Sequence, residues 1–225
     1  MELLNTLRVE EAQKKLEKYF IDLKLGQEEI SILSAVGRIV CEDINSKVNV
    51  PEFNRSTVDG YAVISKDTFG ASESLPSFFE VVGEVEMGKQ TEIILKSGKS
   101  CYVPTGGMLP QNCDAVVMVE YTEVLDDNTV CVHVPVAPKE NTLQMGEDIA
   151  KGQVIFKKGH KLRPQDIGVL AGMGLTKVNV YCKPKVSIIS TGDEIVAPEE
   201  EAKLGQIKDM NTYSLATAAM RDGCE

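Results

Sequence analysis

Tryptophan is absent from this 225-residue chain, and histidine is confined to His133 and His160. Aromatics make up 5% of the residues, so Val, Ile and Leu rather than rings must fill the interior. Cysteine occurs six times (Cys41, Cys101, Cys113, Cys131, Cys182, Cys224), yet no C-x-x-C pair is present. A zinc site wants soft ligands clustered in sequence, so these thiols are expected to be reduced, free and buried. No apolar run approaches the ~20 residues of a membrane span. The opening MELLNTLRVEEAQ carries acids where a secretory signal needs an apolar stretch. The chain is therefore expected in the cytoplasm. Cations are scarce too: 24 Lys and Arg against 34 Asp and Glu leave a net charge of −10. That balance repels nucleic acid and anionic membranes. An anionic ligand would have to be met by local amides, a few cations or a bridging metal.

What is present is a globular composition, long enough for one large domain or two small ones. Apolar residues at Val9, Ala12, Leu16, Tyr19 or Phe20, and Leu23 predict an amphipathic helix over 8–23. A second short helix is expected within 27–36, ended by Gly37, followed by extended chain to Val50-Pro51. From 60 to 136 short β-rich runs (61–64, 78–85, 92–95, 100–103, 115–124, 129–136) alternate with Gly, Asp and Asn turns. The last two runs predict a half-buried antiparallel hairpin. Val130, Val132, Val134 and Val136 share its inner face. Thr129, Cys131 and His133 share the other, so His133 is expected to point to solvent and not to act as a ligand.

Further on, Pro164 suits a helix's first turn, Ile167, Leu170 and Ala171 form its stripe, and Gly174 its cap. A strand at 177–181 follows. Val186–Ser190 reads as a strand buried on both faces, running into Thr191-Gly192-Asp193-Glu194. A helix from Asn211, its expected N-cap, to Gly223 comes next. Strand then helix opens an α/β unit, but no partner strand follows. The chain is thus expected to be the front of a longer protein, severed inside that domain and inactive alone.

Four stretches combine small residues with an acid or hydroxyl at a strand end: 56–62 (STVDGYA), 105–110 (TGGMLP), 146–149 (GEDI) and 191–194 (TGDE). Glycine beside an acid lets backbone approach a ligand while the acid is displayed. Asp and Gly also simply make turns, so each stretch alone is open to both readings. Asp193 and Glu194, at the carboxyl end of a strand, could hold Mg²⁺ or a ribose. Thr105-Gly106-Gly107 could offer amides and a hydroxyl to an anion.

Taken in order, RIVCEDINSKVNVPEFNRSTVDGYAV, YVPTGGMLPQNCDAVVMVEYTE, the span from ENTLQMGEDIAKG to KVSIISTGDEIV, and LGQIKDMNTYSL resemble the MoeA family of molybdopterin molybdenumtransferases, to which the gephyrin E domain is similar. The resemblance covers about 8–222. It implies insertion of molybdenum, supplied as molybdate, into adenylylated molybdopterin, with Mg²⁺ as cofactor and AMP released. It further implies a homodimer and an adenylyltransferase partner of the MogA type.

The implied fold is α+β and multidomain. A mixed N-terminal domain is built from 1–47 and 144–182, an all-β domain is inserted at 48–143, and 183–225 starts an incomplete α/β molybdopterin-binding domain. Carried residue by residue, the catalytic positions are Asp59, Thr105, Asp148 and Glu194. Ser56, Gly106, Gly107, Thr191, Gly192, Asp193 and Asn211 would contact the pterin ligand, and Asp193 with Glu194 would hold Mg²⁺. In the family these acids line a cleft between subunits. One departure is that the family often carries N-[VI]-R before its G-E-D motif, whereas Asn141-Thr142-Leu143-Gln144 has no arginine; Arg55, near Asp59, is another cation. The alternative from another class is a gephyrin-like scaffold or self-association module without catalysis. A related pterin or tungsten substrate is a third reading.

Overall fold

The computed structural model describes residues 7–21 and 23–225, which form two compact units: the chain up to Asp43 together with Phe156–Glu225, and Ile44–Ile155. Asp22, inside the expected 8–23 helix, lies outside the described residues. Helix α1 (Val9–Phe20) forms where the apolar spacing predicts it, with Glu10 and Glu11 in its first turn and Lys18 in its last, both favourable to the helix dipole. None of its side chains is buried; Leu16, Tyr19 and Phe20 are exposed.

The expected helix at 27–36 does not form. Gln27–Ser31 is strand β1, followed by a single 3-10 turn at Ile32–Ser34 whose Leu33 amide donates to Ser31 Oγ at 3.3 Å. Local propensity is overridden by an antiparallel partner at 177–181, which pairs with all five residues and sets Ile30 opposite Val178.

In the second unit the elements are short. They are β2 (Ile44–Asn45), β3 (Arg55–Ser56), β4 (Gly60–Val63), β5 (Ser77–Glu84), β6 (Lys99–Val103), β7 (Ala115–Met118), β8 (Thr122–Asp126), β9 (Thr129–Val132) and β10 (Thr142–Leu143). The expected strand at 92–95 is reduced to one bridge, Ile94 to Gln111, because only two backbone bonds tie that segment to a neighbour. The run 115–124 is also not one strand. A 3-10 turn at Val119–Tyr121 splits it, drawn out of the ladder where the Val119 amide donates to the Asp59 carbonyl at 3.0 Å.

That split has a geometric consequence. The six-stranded sheet runs β7-β4-β6-β5-β9-β8, so β7 and β8 are its opposite edges although they are consecutive in sequence. Six strands spaced by ~4.8 Å span about 24 Å if flat, whereas a three-residue 3-10 turn rises only about 6 Å. The sheet must therefore curl until its edges approach. Each of its faces carries a core cluster. Tyr61, Val63, Phe79, Val117, Val130 and Val132 pack on one side, and Ala62, Leu95, Cys101, Val103 and Val116 on the other. Alternate residues of β4 serve the two cores.

The β8–β9 hairpin is antiparallel as expected, with Val130 and Val132 fully buried. Its second face differs from expectation. Cys131 is buried as well, and His133 is half-buried over it rather than free in solvent.

Strand β11 (Val154–Phe156) pairs with β2. Helix α2 (Pro164–Gly172) then starts at its proline and ends before Gly174, which takes φ +77°. Leu170 is buried as expected, whereas Ala171 is exposed and Met173 takes its place inside. Strand β12 (Lys177–Tyr181) is the partner of β1.

The expected buried strand at 186–190 is not formed: Val186 and Ile189 are exposed. A buried strand needs ladders on both sides, and among the described residues the backbone of Pro184 and Val186 bonds only to Glu225. The regular pair in this region is β13 (Ile195–Val196) with β14 (Ile207–Lys208), parallel, followed by α3 (Asn211–Arg221). The architecture is mixed α and β, with the curled sheet as its largest element.

Candidate functional site

Three of the four sequence-nominated stretches meet in the second unit. The loop 54–59 lies against the loop 104–109: the Ser56 amide donates to Gly107 O, the Gly106 amide to Ser56 O, and the Leu109 amide to Asn54 O, at 2.8–3.0 Å. The third loop, 141–149, joins through β10, which pairs with β3, and through the Thr57 amide donating to Asn141 O. Asn54 ties all three together. Its carbonyl accepts from Leu109 and its Oδ1 accepts from the Met145 amide at 2.7 Å. Nothing in the sequence singled Asn54 out; a polar residue in a loop gives no sign of bonding two distant segments.

Asp59 stands at the centre. Its Oδ1 accepts from the Thr105 amide at 2.6 Å and from the Thr105 hydroxyl at 3.0 Å. These two bonds, the amide first, hold its carboxyl below the usual carboxylate range. The side chain is exposed, and among the described residues its second oxygen has no hydrogen-bond partner. An acid so held is a weak base at neutral pH but a fixed, charged acceptor for an N–H, an O–H or a hard cation. Gly60 makes this position available. A Cβ there would meet Val117 O at 2.0 Å, so only glycine allows β4 to pass so close to β7.

The amides of Thr105, Gly106 and Gly107 are not open to an anion as expected. They donate to Asp59, Ser56 O and Pro104 O. The carboxylate of Asp59 occupies the place where an external anion would bind. The Ser56 hydroxyl is likewise engaged, donating to Val58 O at 2.6 Å, and Ser56 is buried. Gly106 instead shapes space. With φ +84° it borders a cleft of about 390 Å³ lined also by Glu52, Phe53, Lys89 and Met108. Asp148 is exposed on the third loop, its backbone fixed to Val50 O.

Thr191, Gly192, Asp193, Glu194 and Asn211 belong to the other unit. The acids lie in an exposed turn ahead of β13, not at the end of a buried strand. Gly192 takes φ +146°, and a Cβ there would meet the Glu194 carboxylate at 2.7 Å. Two exposed carboxylates supply the hard oxygens that Mg²⁺ takes when water and a ligand's phosphates complete its shell, so the donor set fits. Asn211 is the first residue of α3 rather than its cap. The capping acceptor is Asp209 Oδ1, bonded by the Thr212 amide at 3.0 Å. A larger cleft in this unit, about 540 Å³, is lined by Arg38, Lys161, Lys183 and Arg221 among others, and none of the nominated residues lines it.

The same unit holds an acid that sequence reasoning missed. Asp166, buried at the start of α2, accepts from the Arg163 guanidinium and amide and contacts His160 Nε2 at 2.8 Å. Arg163, then His160, hold its carboxyl well below the usual range against the opposing effect of burial. It caps the helix rather than forming a site.

Known proteins resemble this chain over most of its length. The profile of the MoeA N-terminal region (domain I and II) matches residues 7–174. Two crystal structures of a molybdopterin biosynthesis MoeA protein from Pyrococcus horikoshii are 41% and 37% identical, with TM-scores of 0.83 and 0.86. They cover 94% and 95% of this chain and 55% and 57% of their own. A molybdopterin molybdenumtransferase of Staphylococcus epidermidis is 32% identical over 97% of this chain and 52% of its own length. Gephyrin of Dictyostelium discoideum is 32% identical over 95% of this chain and 31% of its own. The chain spans about half the length of the molybdenumtransferases it matches. No helix among the described residues is long and apolar enough to cross a membrane.

Proposed function

The chain belongs to the family of the MoeA N-terminal region, and on that premise we propose that it acts in molybdenum cofactor biosynthesis as a molybdopterin molybdenumtransferase. The reaction is insertion of molybdenum, from molybdate as substrate, into adenylylated molybdopterin, with AMP released. The observation that carries this reading is the Asp59–Thr105 pair at the meeting point of three loops, in which one carboxylate oxygen is fixed by two donors and the other has no partner among the described residues.

In this reading Asp59 receives a donor or cation of the ligand, Thr105 fixes Asp59, and Asp148 and Glu194 add acceptors. Gly106 and Gly107 act by shape, and Thr191, Gly192 and Asn211 border the pterin. Asp193 and Glu194 would hold Mg²⁺, which when bound draws charge from the adenylate phosphates. The arginine absent at Leu143 has a counterpart, because Arg55 is the direct cross-strand partner of Leu143 and supplies a cation at the same height of the β3–β10 pair.

The proposed domain layout is a mixed domain from 1–47 and 144–182, an inserted all-β domain at 48–143, and the start of an α/β molybdopterin-binding domain from 183. A cytoplasmic homodimer fits the exposed apolar face of α1, and an adenylyltransferase of the MogA type would supply the adenylate. The same α1 face, with the gephyrin relative, favours self-association as the second reading.

The test is Asp59→Asn in the full-length gene product, assayed with molybdate, Mg²⁺ and adenylylated molybdopterin. Asn keeps the turn geometry and loses the charge. Insertion is expected to fall by at least about tenfold, or ~1.4 kcal/mol of transition-state stabilisation, while the melting temperature stays near wild type. Equal rates would reduce Asp59 to a turn residue, and a collapse of the melt would make its role structural.

A further inference from the structure

On the face of the sheet opposite Val130 and Val132, the edge strand β8 and its neighbour β9 bring three ligating side chains together. Glu123 and Cys131 are direct partners in the antiparallel register, and His133 lies two residues beyond Cys131 on the same side. Cys131 Sγ is 3.4 Å from His133 Nε2, and His133 Nε2 is 3.8 Å from Glu123 Oε2. All three ligand atoms lie within 4.8 Å of one another, the one such group among the described residues. The backbone holds the arrangement: the His133 amide donates to Tyr121 O at 3.0 Å.

These spacings suit a metal. A thiolate at about 2.3 Å and an imidazole at about 2.0–2.1 Å from zinc, at a tetrahedral angle, stand about 3.5 Å apart, close to the observed separation. We propose that Glu123, Cys131 and His133 form a site for a borderline-soft divalent cation, zinc foremost, with water as the fourth ligand.

The donor set selects the class of metal. Thiolate with imidazole excludes Mg²⁺ and Ca²⁺, which take oxygen, and favours zinc or its cobalt surrogate. Glu123 and His133 are partly exposed and give the ion its route, while Cys131 is buried beneath them. A thiol carries its proton at neutral pH until metal arrives. Binding forms the metal–sulfur bond and releases that proton to solvent. The bound ion ties an edge strand to the strand inside it, at the place where the sheet is otherwise paired on one side only.

The test uses the untagged, metal-free chain titrated with Co²⁺ and then Zn²⁺. One equivalent of cobalt is expected to give a thiolate-to-metal absorption band that zinc abolishes. Cys131→Ser should lose the band. His133→Gln should weaken cobalt binding at least ~100-fold, since losing a ligand costs more than the 10–100-fold typical of a supporting group. Glu123→Gln should weaken it by roughly tenfold, because the neutral amide oxygen still coordinates. Should Cys131→Ser not fold, His133→Gln decides, because that side chain is partly exposed and outside the strand. Absence of the band in wild type, or a band of wild-type strength in Cys131→Ser or in His133→Gln, would overturn the proposal and leave a plain thiol–imidazole contact.

Discussion

Two of the glycine–acid turns, Asp59-Gly60 and Gly192-Asp193-Glu194, are similar in composition and built differently. At the first, the acid is held by a distant loop, and the glycine is imposed by a carbonyl on the neighbouring strand. At the second, the acids are exposed and, among the described residues, the glycine's nearest neighbour is the flexible end of Glu194. A motif of small residues and a carboxylate becomes a rigid binding point only where other segments close on it. Elsewhere it remains a turn that a ligand would have to organise.

Alanine at each glycine breaks the comparison most directly. Gly60→Ala forces a methyl into Val117 O and should cost roughly 3 kcal/mol or more, read as the urea midpoint by far-ultraviolet circular dichroism. Asp166→Ala asks what a well-held acid is worth in the other unit. Loss of the Arg163 and His160 partners and of the cap should cost about 2 kcal/mol. Because the folded Asp166 pKa is depressed, its stabilisation is present above the unfolded value of about 3.9 and is lost as pH falls below it. The variant should therefore show a shallower acid limb. Gly192→Ala should cost only about 1 kcal/mol, since the Glu194 carboxylate can swing aside and the strained φ remains the main penalty. If it costs as much as Gly60→Ala, the contrast between the two turns fails.

Thr105→Val is gentler still. It removes the hydroxyl donor but keeps the amide, so the Asp59 carboxyl should titrate nearer its ordinary value in a carbon-detected titration, without reaching it. The smallest effect concerns the thiols of Cys101 and Cys113. Burial pushes Cys101 up to about 11 and Cys113 up to about 12, so neither should alkylate in the folded protein at pH 8. Their raised pKa values also mean that stability is intact below the unfolded thiol value, about 8.5, and declines as pH rises beyond it.

Much of the sheet was legible because alternation survives in single strands: Val130 and Val132 face inward as their spacing demands. What was hidden is non-local. Residues Gln27–Ser31 look helical until β12 offers a full ladder, and Val186–Ser190 looks like a strand until its partners are sought. The run 115–124 reads as one strand because sequence does not show that its halves serve opposite edges. At the candidate site, Asp59 and Thr105 were nominated and lie together, but the engagement of the Thr105 and Gly106 amides could not be foreseen, since their partners, Asp59 and Ser56, lie in a distant stretch of the sequence. The Cys131–His133 spacing was visible, yet only the cross-strand register adds Glu123.

The pairing of β1 with β12 joins residues 27–31 to residues 177–181 across the whole of the 44–155 unit. Closing so long a loop costs chain entropy while the intervening polypeptide is loose, and far less once that polypeptide has collapsed and brought its own ends together. The order of assembly is thereby set by connectivity: the curled sheet forms first, and β1 waits for a partner that leaves the ribosome much later. Pulse-labelled hydrogen exchange during refolding should protect Tyr61, Val117 and Val130 before Ile30 and Val180. The reverse order would mean that β1 finds its partner through an open chain.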